Sequence, residues 1–520
     1  MENPTKKRAD EMVKYNPKQI MIREFKTPFG RGLNPKNRWV RLAEIIPWDQ
    51  LHESYASTLC EDFGRPAKDS RLILGSIIVK HKKRLTDEEL IEEIQENIYI
   101  QYFLGYEGFT LKKPFDASLL VTIRRRLGKD VFDSLNQQLM DRIGEIERQH
   151  PPEPKQKRRR RRKSDPRDSG ASGFLDEGGS SDPPNQGQLL LDAFVAPQDI
   201  KFPTDLDLLN DAREHAERLI DELHVPEPGK IKPRTHRKKA RRDYLRIAKK
   251  KRKSRSELRA GIRKQLNYLR RDISHIKALV NPQLGKPICL SPRDLRLFWI
   301  IQELHRQQRE MYKENKHSIA DRIVSLSQPH VRPIVRGKTA HPVEFGAKIS
   351  GALVDGYAYL DRISWDAYNE NQDLIDQVER YKERFGYYPS EVIVDDIYGT
   401  RENRRYAKSK GIRLSCKPFG RPRAMNESER KAFWKQRRQD TGLRNQIEGK
   451  FGEGKRKYGL DKIMAKTAPT SESWISAIFF VMNIARWERV FFVPVLDWLK
   501  TISNRMFQVV KEQRLPVFSG

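Results

Sequence analysis

Residues 343–365, VEFGAKISGALVDGYAYLDRISW, predict a β-hairpin at the centre of the fold. From Val343 to Ile349 the apolar residues recur at every second position, which is the period of a strand with one buried face. Asp355 and Gly356 provide the turn chemistry of a tight hairpin. The segment YAYLDRISW then follows as the partner strand.

Strands and helices alternate on both sides of this hairpin. A helix with Leu374 and Val378 on one face ends at Gly386. After it come a buried-type strand EVIVDD, a helical segment GTRENRRYAKSKG and a strand IRLSCKP. On the N-terminal side, the apolar segment LLLDAFVA predicts a further strand. This order predicts an α/β fold whose sheet is partly antiparallel and partly parallel.

The chain is strongly and unevenly basic. Its 520 residues include 102 Lys and Arg against 70 Asp and Glu, a net charge of +32. Residues 230–271 alone contain twenty cations and two acids. A polyanionic partner is expected, because each cation placed on a phosphate releases a condensed counterion. Nucleic acid is the predicted partner, and an anionic membrane surface is the weaker alternative.

Other features of the sequence indicate an intracellular protein. Cys60, Cys289 and Cys416 form no CxxC pair, which argues against a disulfide framework and a zinc ribbon. The N-terminus lacks the apolar stretch of a secretory signal. The most apolar segment, residues 474–485, is shorter than the roughly 20 residues that cross a bilayer, so it predicts a buried helix and no membrane partner.

Composition divides the chain into parts. Residues 151–187 are rich in Pro, Gly, Ser and Asp, contain KRRRRRK, and predict a basic flexible linker. A long insertion is predicted at about 205–340, within a catalytic domain of residues 188–500, and residues 501–520 are assigned to a C-terminal tail. Apolar residues at helical spacing in the insertion favour a helix packed within its own domain over a dimer contact. They are Leu258, Ile262, Leu266, Leu269, Ile273, Ile276 and Val280.

Residues 1–150 predict an all-α domain. Thr86 and Glu89 form a capping box before an amphipathic segment. The segment LLVTIRRRLG carries Arg124, Arg125 and Arg126 on a short helix. This helix is predicted either to enter a DNA groove or to present a solvated basic face, and the sequence favours neither.

Two acids interrupt apolar strands. Asp192 lies within LLLDAFVA, and Asp395 comes at the end of EVIVD. A carboxylate buried in a sheet is costly unless it is paired or binds a metal. Carboxylate oxygens are the ligands that Mg²⁺ prefers, and such acids on neighbouring strands suit phosphodiester chemistry. Considered alone, however, an acid at a strand end is more often solvated or caps the following helix.

A third acid lies in the segment TGLRNQIEGKFGEGKRKYGL, which starts at Thr441 and predicts a helix. At about 100° per residue, Arg444, Glu448 and Lys455 fall on one narrow face. This face can present a metal ligand between two phosphate contacts. Considered alone, this face is better explained as a surface face with ion pairs between residues four apart.

These segments together resemble a known family. The spacing R-x(3)-E-x(6)-K resembles the signature of insertion-sequence DDE transposases of the Y-R-E-K class, with Thr441 at the position of the family tyrosine. The segment LLLDAFVAPQDIKFPTDLDLLNDAR resembles the first-aspartate strand of that family. VIVDDIYGTRENRRY resembles the second-aspartate segment and maps it to Asp395 and Tyr398, with Asp396 the weaker candidate. Residues 60–150 are similar to the helical N-terminal domain of many of these transposases.

The resemblance implies a ribonuclease-H-like catalytic core with the helical insertion after its first strand. It implies that Asp192, Asp395 and Glu448 are catalytic and bind Mg²⁺, with Mn²⁺ as a substitute. Arg444, Lys455 and Tyr398 are assigned to DNA contact, together with the three N-terminal arginines. Double-stranded DNA, as element ends and as target, is the implied substrate. The resemblance also implies a homodimer in the synaptic complex. It implies a location in a bacterial or archaeal cytoplasm, in association with the nucleoid.

Three other functions are weighed against this one. A nuclease of the same fold would cleave DNA without joining it. An inactive descendant would bind nucleic acid through its charge alone. A nucleophilic enzyme would use Tyr398 or Cys416, but neither has a histidine at a recognisable spacing. No phosphate-binding loop, dinucleotide-binding motif or zinc pattern occurs in the sequence.

Overall fold

The computed structural model describes residues 19–28, 30, 32–59, 66–149, 183–224, 231–281, 290–335, 343–420 and 425–512, with side chains in the last range described as far as residue 490. Cys60, Cys289, the basic run 157–163 and most of the predicted linker therefore lie outside the described residues. The chain is mixed α/β, as predicted.

Helices form the N-terminal part of the chain. They are α1 (Arg38–Ile45), α2 (Trp48–Ala56), α3 (Ser70–Lys83), α4 (Asp87–Glu96), α5 (Ile98–Phe103), α6 (Leu119–Arg126) and α7 (Lys129–Gln149). The predicted capping box at the start of α4 is confirmed, because the Thr86 side chain accepts from the Glu89 N–H and the Glu89 side chain accepts from the Thr86 N–H.

Among the described residues, six strands form one mixed sheet. They are β1 (Gln188–Pro197), β2 (Arg332–Val335), β3 (Val343–Val354), β4 (Tyr357–Ser364), β5 (Glu391–Ile393) and β6 (Arg413–Leu414). The sheet order is β2-β3-β1-β5-β6, and β4 pairs with β3. β1 is antiparallel to β3 and parallel to β5, so the first strand lies in the middle of the sheet.

The β3–β4 hairpin confirms the prediction made from residues 343–365. Its turn residues Asp355 and Gly356 have φ values of 50° and 83°, as two-residue hairpin turns require. The following helix α12 (Leu374–Phe385) ends at Gly386 with φ 82°. Helix α13 (Arg401–Ser409) then connects β5 to the parallel strand β6.

Between β1 and β2 the chain forms the helices α8 (Asp205–Leu223), α9 (Arg237–Ala248), α10 (Arg255–Val280) and α11 (Pro292–Glu314). Leu266, Leu269, Ile273 and Ile276 of α10 are buried in a hydrophobic cluster with α8 and α11. This cluster is separate from the main core. The apolar stripe of α10 therefore packs within the insertion, as the sequence favoured.

Two long helices complete the fold. α14 (Glu427–Tyr458) carries the third predicted acid, and α15 (Ala468–Glu512) packs against β4 and the N-terminal helices. The helix predicted for the segment from Thr441 is confirmed within α14, and a capping box between Asn426 and Glu429 starts this helix four turns before Thr441. The buried helix predicted for residues 474–485 is confirmed within α15.

Side chains from the N-terminal helices, the sheet and α15 share one hydrophobic core. α15 continues through residue 512, so the predicted boundary at residue 500 falls inside a helix. In the part of the chain that is described, no helix combines the length and apolarity needed to span a bilayer.

Candidate active site

Asp192 lies in the middle of β1, with a strand on either side. It is opposite Gly351 of β3, and Leu190, two residues earlier, is opposite Ile393 of β5. Its side chain is only partly exposed, and its Oδ1 accepts from the Ala193 N–H at 2.9 Å. The sheet therefore fixes this carboxylate at its centre.

Asp395 follows β5 at the level of Asp192, because it comes two residues after Ile393, the partner of Leu190. Its side chain caps a short 3-10 turn by accepting from the Asp396 N–H at 2.7 Å, and is 54% exposed. Asp396 points elsewhere and pairs with Lys417 at 2.9 Å. Of the two adjacent acids, Asp395 is thus the one whose carboxylate pairs with Arg444 of the helix that carries Glu448.

Close packing between α14 and the sheet brings Glu448 to the same place. Phe451, three residues after Glu448, stacks on Phe194 of β1 with ring centroids 4.3 Å apart. A Cβ added to Gly351 would lie 2.8 Å from Phe451 Cζ, so the missing side chain lets the helix approach the strand. Glu448 itself is 51% exposed at the edge of the contact.

Arg444 joins two of the three acids. Its Nη1 lies 2.8 Å from Asp395 Oδ1, and its Nη2 lies 3.0 Å from Glu448 Oε1. Burial lowers the pKa of Arg444, but the fields of Asp395 and Glu448 outweigh it and the net shift is upward. One guanidinium therefore screens the repulsion between carboxylates that come from a strand end and from a helix.

The electrostatics of Asp192 connect it to this group. Burial, together with the charges of Glu370 and Glu448, raises its pKa to about 6, although the Ala193 N–H and Arg444 act in the opposite direction. Glu370 lies in a 3-10 turn before α12 and pairs with Lys348 at 3.2 Å. The sequence did not predict this fourth acid, since it lies in a polar loop segment without any pattern.

The donor set fits a hard divalent cation, because Asp192, Asp395 and Glu448 offer only carboxylate oxygens. In the described parts of the chain, no three His, Cys, Asp or Glu side chains are already arranged to hold a metal ion. Arg444 lies between two of the carboxylates. The structure thus places a positive group where the acids would otherwise repel each other.

Two residues assigned to DNA contact lie close to the acids. Lys455 lies on the same face of α14 as Glu448, and its Nζ is 5.4 Å from the centre of the Phe194 ring. Tyr398 is fully buried, and its hydroxyl has no hydrogen-bond partner within the described structure. The assignment of Tyr398 to DNA contact does not agree with this burial. Thr441 is exposed, and its hydroxyl donates to the Arg437 carbonyl at 2.9 Å.

The three N-terminal arginines have different surroundings. Arg124 is only 12% exposed, pairs with Asp87 at 2.6 Å and lies over the Trp474 ring of α15. Its predicted role in DNA contact does not agree with this, because its guanidinium is used inside the protein. Arg125 and Arg126 are exposed, so the basic surface of α6 is smaller than the sequence suggested.

A thiol nucleophile is not supported at Cys416. Its side chain is buried, and burial raises the pKa of the thiol to about 11, so the thiol is protonated at neutral pH. Its Sγ donates to the Asp395 carbonyl at 3.4 Å. Cys416 therefore supports the strand end that carries Asp395.

Two family models match separate parts of the chain. Residues 392–485 match a family described as a transposase DDE domain, and residues 29–126 match a transposase domain of the family DUF772. The first match includes Asp395, Arg444 and Glu448, whereas Asp192 lies outside it. The second covers the N-terminal helices as far as α6.

A curated relative adds limited information. An uncharacterized protein, ORF8 in the nfe locus of Rhizobium meliloti, is 39% identical over 103 residues, which is 20% of this chain. The chain spans about half the length of that relative, 49%. No solved structure matches.

The two family matches support an insertion-sequence DDE transposase, as the sequence motifs predicted. Proteins of this kind are enzymes that act on DNA and generally use divalent metal ions. The matches do not extend to the Y-R-E-K subclass, whose tyrosine position is Thr441 here.

Proposed function

We propose that this protein cleaves DNA at the ends of an insertion sequence and joins the freed strands to target DNA, in a reaction that depends on Mg²⁺ or Mn²⁺. The observation that carries the proposal is that Arg444 pairs with both Asp395 and Glu448, and that the charges of Arg444 and Glu448 act on Asp192 in the neighbouring strand. In the proposal, the strands and helix form a ribonuclease-H-like core.

In this proposal the three carboxylates are the metal ligands. Bound divalent cations would act as Lewis acids that activate water and stabilise the charge on the transferred phosphoryl group. Asp192 is held by the central strand, so it provides the fixed ligand. Asp395 and Glu448 are about half exposed and pair with the partly exposed Arg444, so each can exchange this partner for a metal ion.

The cations beside the acids would bind the DNA backbone. Arg444 has a planar guanidinium that suits two phosphate oxygens, and Lys455 offers a point charge further along the same helix face. When a phosphate approaches, Arg444 would exchange carboxylate partners for phosphate oxygens. This exchange would free Asp395 and Glu448 for the metal ions at the moment that the substrate arrives.

The reaction needs two displacements at phosphorus. In the first, water attacks the phosphodiester at the element end, forms one P–O bond, breaks another and releases a 3′-hydroxyl group. In the second, that hydroxyl attacks a phosphodiester of the target and forms a new P–O bond. The target's P–O3′ bond breaks, and the target strand is released with a 3′-hydroxyl group. The number of P–O ester bonds is conserved in the joining step, so no nucleotide hydrolysis is required.

The test uses the full-length protein and labelled duplexes that carry the DNA flanking its gene. We expect nicking at the element end and joined products in Mg²⁺, and neither product with Asp192→Asn, Asp395→Asn or Glu448→Gln. DNA affinity measured by fluorescence anisotropy in EDTA should be similar for all four proteins. Nicking without joined products would favour the nuclease, and binding without nicking would favour the inactive descendant.

A further inference from the structure

The first half of helix α14 is exposed and basic. Residues 430–439, RKAFWKQRRQ, contain five cations and no acid. Trp434 lies among these cations and is 57% exposed, which is unusual for so large an apolar side chain. We use the term cationic ridge for Arg430, Lys431, Trp434, Lys435 and Arg438, all of which are exposed.

The cations of the ridge are largely unneutralised. Lys431 pairs with Glu427 at 2.7 Å, but both side chains are more than 70% exposed, at 77% and 73%, so the pair is weak. Within the described part of the chain, Arg430, Lys435 and Arg438 make no ion pair. The ridge therefore retains the charge that would bind a polyanion.

The face of the helix beside the ridge is anchored to the sheet. Arg437 donates to the Ser415 carbonyl at 2.7 Å, and Asp440 pairs with Arg413 of β6 at 2.9 Å. Phe433 is partly buried and contacts Trp434 edge to face, with ring centroids 5.6 Å apart. These contacts hold the ridge in a fixed orientation relative to the sheet.

Two members of the ridge, Arg430 and Trp434, continue the line of Glu448 along α14, and its other cations lie further round the helix. At about 100° and 1.5 Å per residue, Arg430 has the same helical direction as Glu448 and lies about 27 Å away, and Trp434 lies about 21 Å away and about 40° round the helix. At about 3.4 Å per nucleotide, this is a path of roughly six to eight nucleotides. DNA bound at the acids can therefore continue along the ridge.

We infer that the ridge binds the DNA strand leaving the active site as single-stranded DNA, with its cations on the phosphates and Trp434 stacked on a base. Exposed aromatic rings between cations are the recurring way in which proteins bind single strands. A base inside a duplex already stacks on both sides, so Trp434 requires an unpaired one. This inference rests on the proposed function only for the statement that the bound strand comes from the active site.

Binding is measured by fluorescence anisotropy in EDTA, so that no cleavage is needed. The probes are a blunt 30-base-pair duplex and the same duplex with an eight-nucleotide single-stranded extension that carries 2-aminopurine. Trp434→Ala should weaken binding of the extended duplex roughly tenfold or more and leave the blunt duplex unchanged. Trp434→Phe should restore most of the preference, because it keeps an aromatic ring.

Two further variants complete the test. Trp299→Ala is the matched control, because Trp299 is 65% exposed but lies on α11 in the insertion. It should bind both probes like the wild type. The double variant Lys435→Gln, Arg438→Gln should weaken both probes and reduce the slope of log affinity against log salt by roughly 1.5.

Equal affinities of Trp434→Ala and wild type for the extended duplex would overturn the inference. So would an equal loss on both probes, or a Trp434→Ala protein whose oligomeric mass changes while its DNA affinities do not. Because Glu448→Gln should retain the preference for the extended probe, a failure of cleavage alone would contradict the proposed function and leave the ridge intact.

Discussion

Arg444 Nη1 lies 2.8 Å from Asp395 Oδ1, so the helix that carries one predicted catalytic acid provides the counter-charge for another. The two side chains are 35% and 54% exposed. An ion pair this exposed contributes less than about 1 kcal/mol to stability. We therefore expect this ion pair to matter for the position of Asp395 and Glu448 rather than for stability.

Arg444→Ala should reduce DNA cleavage at least tenfold while it changes the free energy of unfolding by less than about 1 kcal/mol. Arg444→Lys should also be slow, because an ammonium group cannot reproduce the two-pronged contact. Rates are measured on labelled element ends, and stability by chemical denaturation. Cleavage at the wild-type rate in Arg444→Ala would exclude a role for this residue.

Asp395→Asn and Asp396→Asn should have opposite effects, although the residues are adjacent. Asp395→Asn should abolish cleavage with little change in stability. Asp396 accepts from the Lys417 N–H at 3.0 Å and pairs with its ammonium, so Asp396→Asn should lower stability by about 1 kcal/mol and retain cleavage. Reversed effects would show that the site uses the second acid.

Gly351→Ala should destabilise the protein by about 1–3 kcal/mol, because the new methyl group would overlap Phe451. It should also slow cleavage by displacing α14. Adding Phe451→Leu should recover part of both losses, which is measured in a double-mutant cycle.

The matched control is Gly449→Ala in α14, the helix that packs on Gly351, where an added Cβ meets nothing within 4 Å. That change should leave stability equal or raise it by up to about 1 kcal/mol. A Gly351→Ala protein as stable and active as Gly449→Ala would show that close approach of the helix is unnecessary.

Asp272 in the insertion should make stability fall as pH rises. It is fully buried, neither oxygen has a hydrogen-bond partner within the described structure, and burial raises its pKa to about 7. The carboxyl group ionises near pH 4 in the unfolded state but keeps its proton up to about pH 7 in the folded state. Stability therefore falls as the pH rises from about 4 to about 7. Wild type should therefore lose roughly 1–4 kcal/mol relative to Asp272→Asn over this range.

Asp221 provides the control with the opposite sign. Hydrogen bonding to Arg237, followed by Lys232, lowers its pKa, so its contribution is present above about pH 4 and lost as pH falls. Asp221→Asn should thus be destabilising near neutral pH and neutral in acid. Denaturant unfolding curves at several pH values measure both variants, and parallel pH profiles would refute the argument.

Arg124→Ala should lower stability by about 2–3 kcal/mol, because it leaves the largely buried Asp87 with only Lys80. Arg125→Ala should leave stability unchanged and reduce the salt slope of DNA binding by about 0.9 if its side chain contacts a phosphate. Thermal unfolding and anisotropy distinguish the two roles. Equal salt slopes in both variants would mean that α6 is not a DNA surface.

Local patterns in the sequence were enough to predict much of the fold. The hairpin turn at Asp355 and Gly356 and the capping box at Thr86 follow from contacts between near neighbours. The predicted α/β class is confirmed for the same reason. The roles of the predicted site residues remain predictions.

Contacts between distant residues escaped the sequence reasoning. Glu370 is near Asp192 only because a loop packs against the end of β5. No pattern of residue spacing in the sequence indicates this contact. The burial of Tyr398 and Arg124 depends on the neighbours that cover them. The early start of α14 was within reach, since Asn426 and Glu429 form a recognisable capping box.

The shared core also constrains how the protein folds during synthesis. Asn483 of α15 donates to Asn136 of α7 and to the Ala358 carbonyl of β4, and 347 residues separate the two asparagines. A ribosome adds roughly 5–20 residues per second, so the N-terminal helices wait tens of seconds for their partner. Their apolar faces are exposed to chaperones during that interval, and an N-terminal fragment expressed alone would keep them exposed indefinitely.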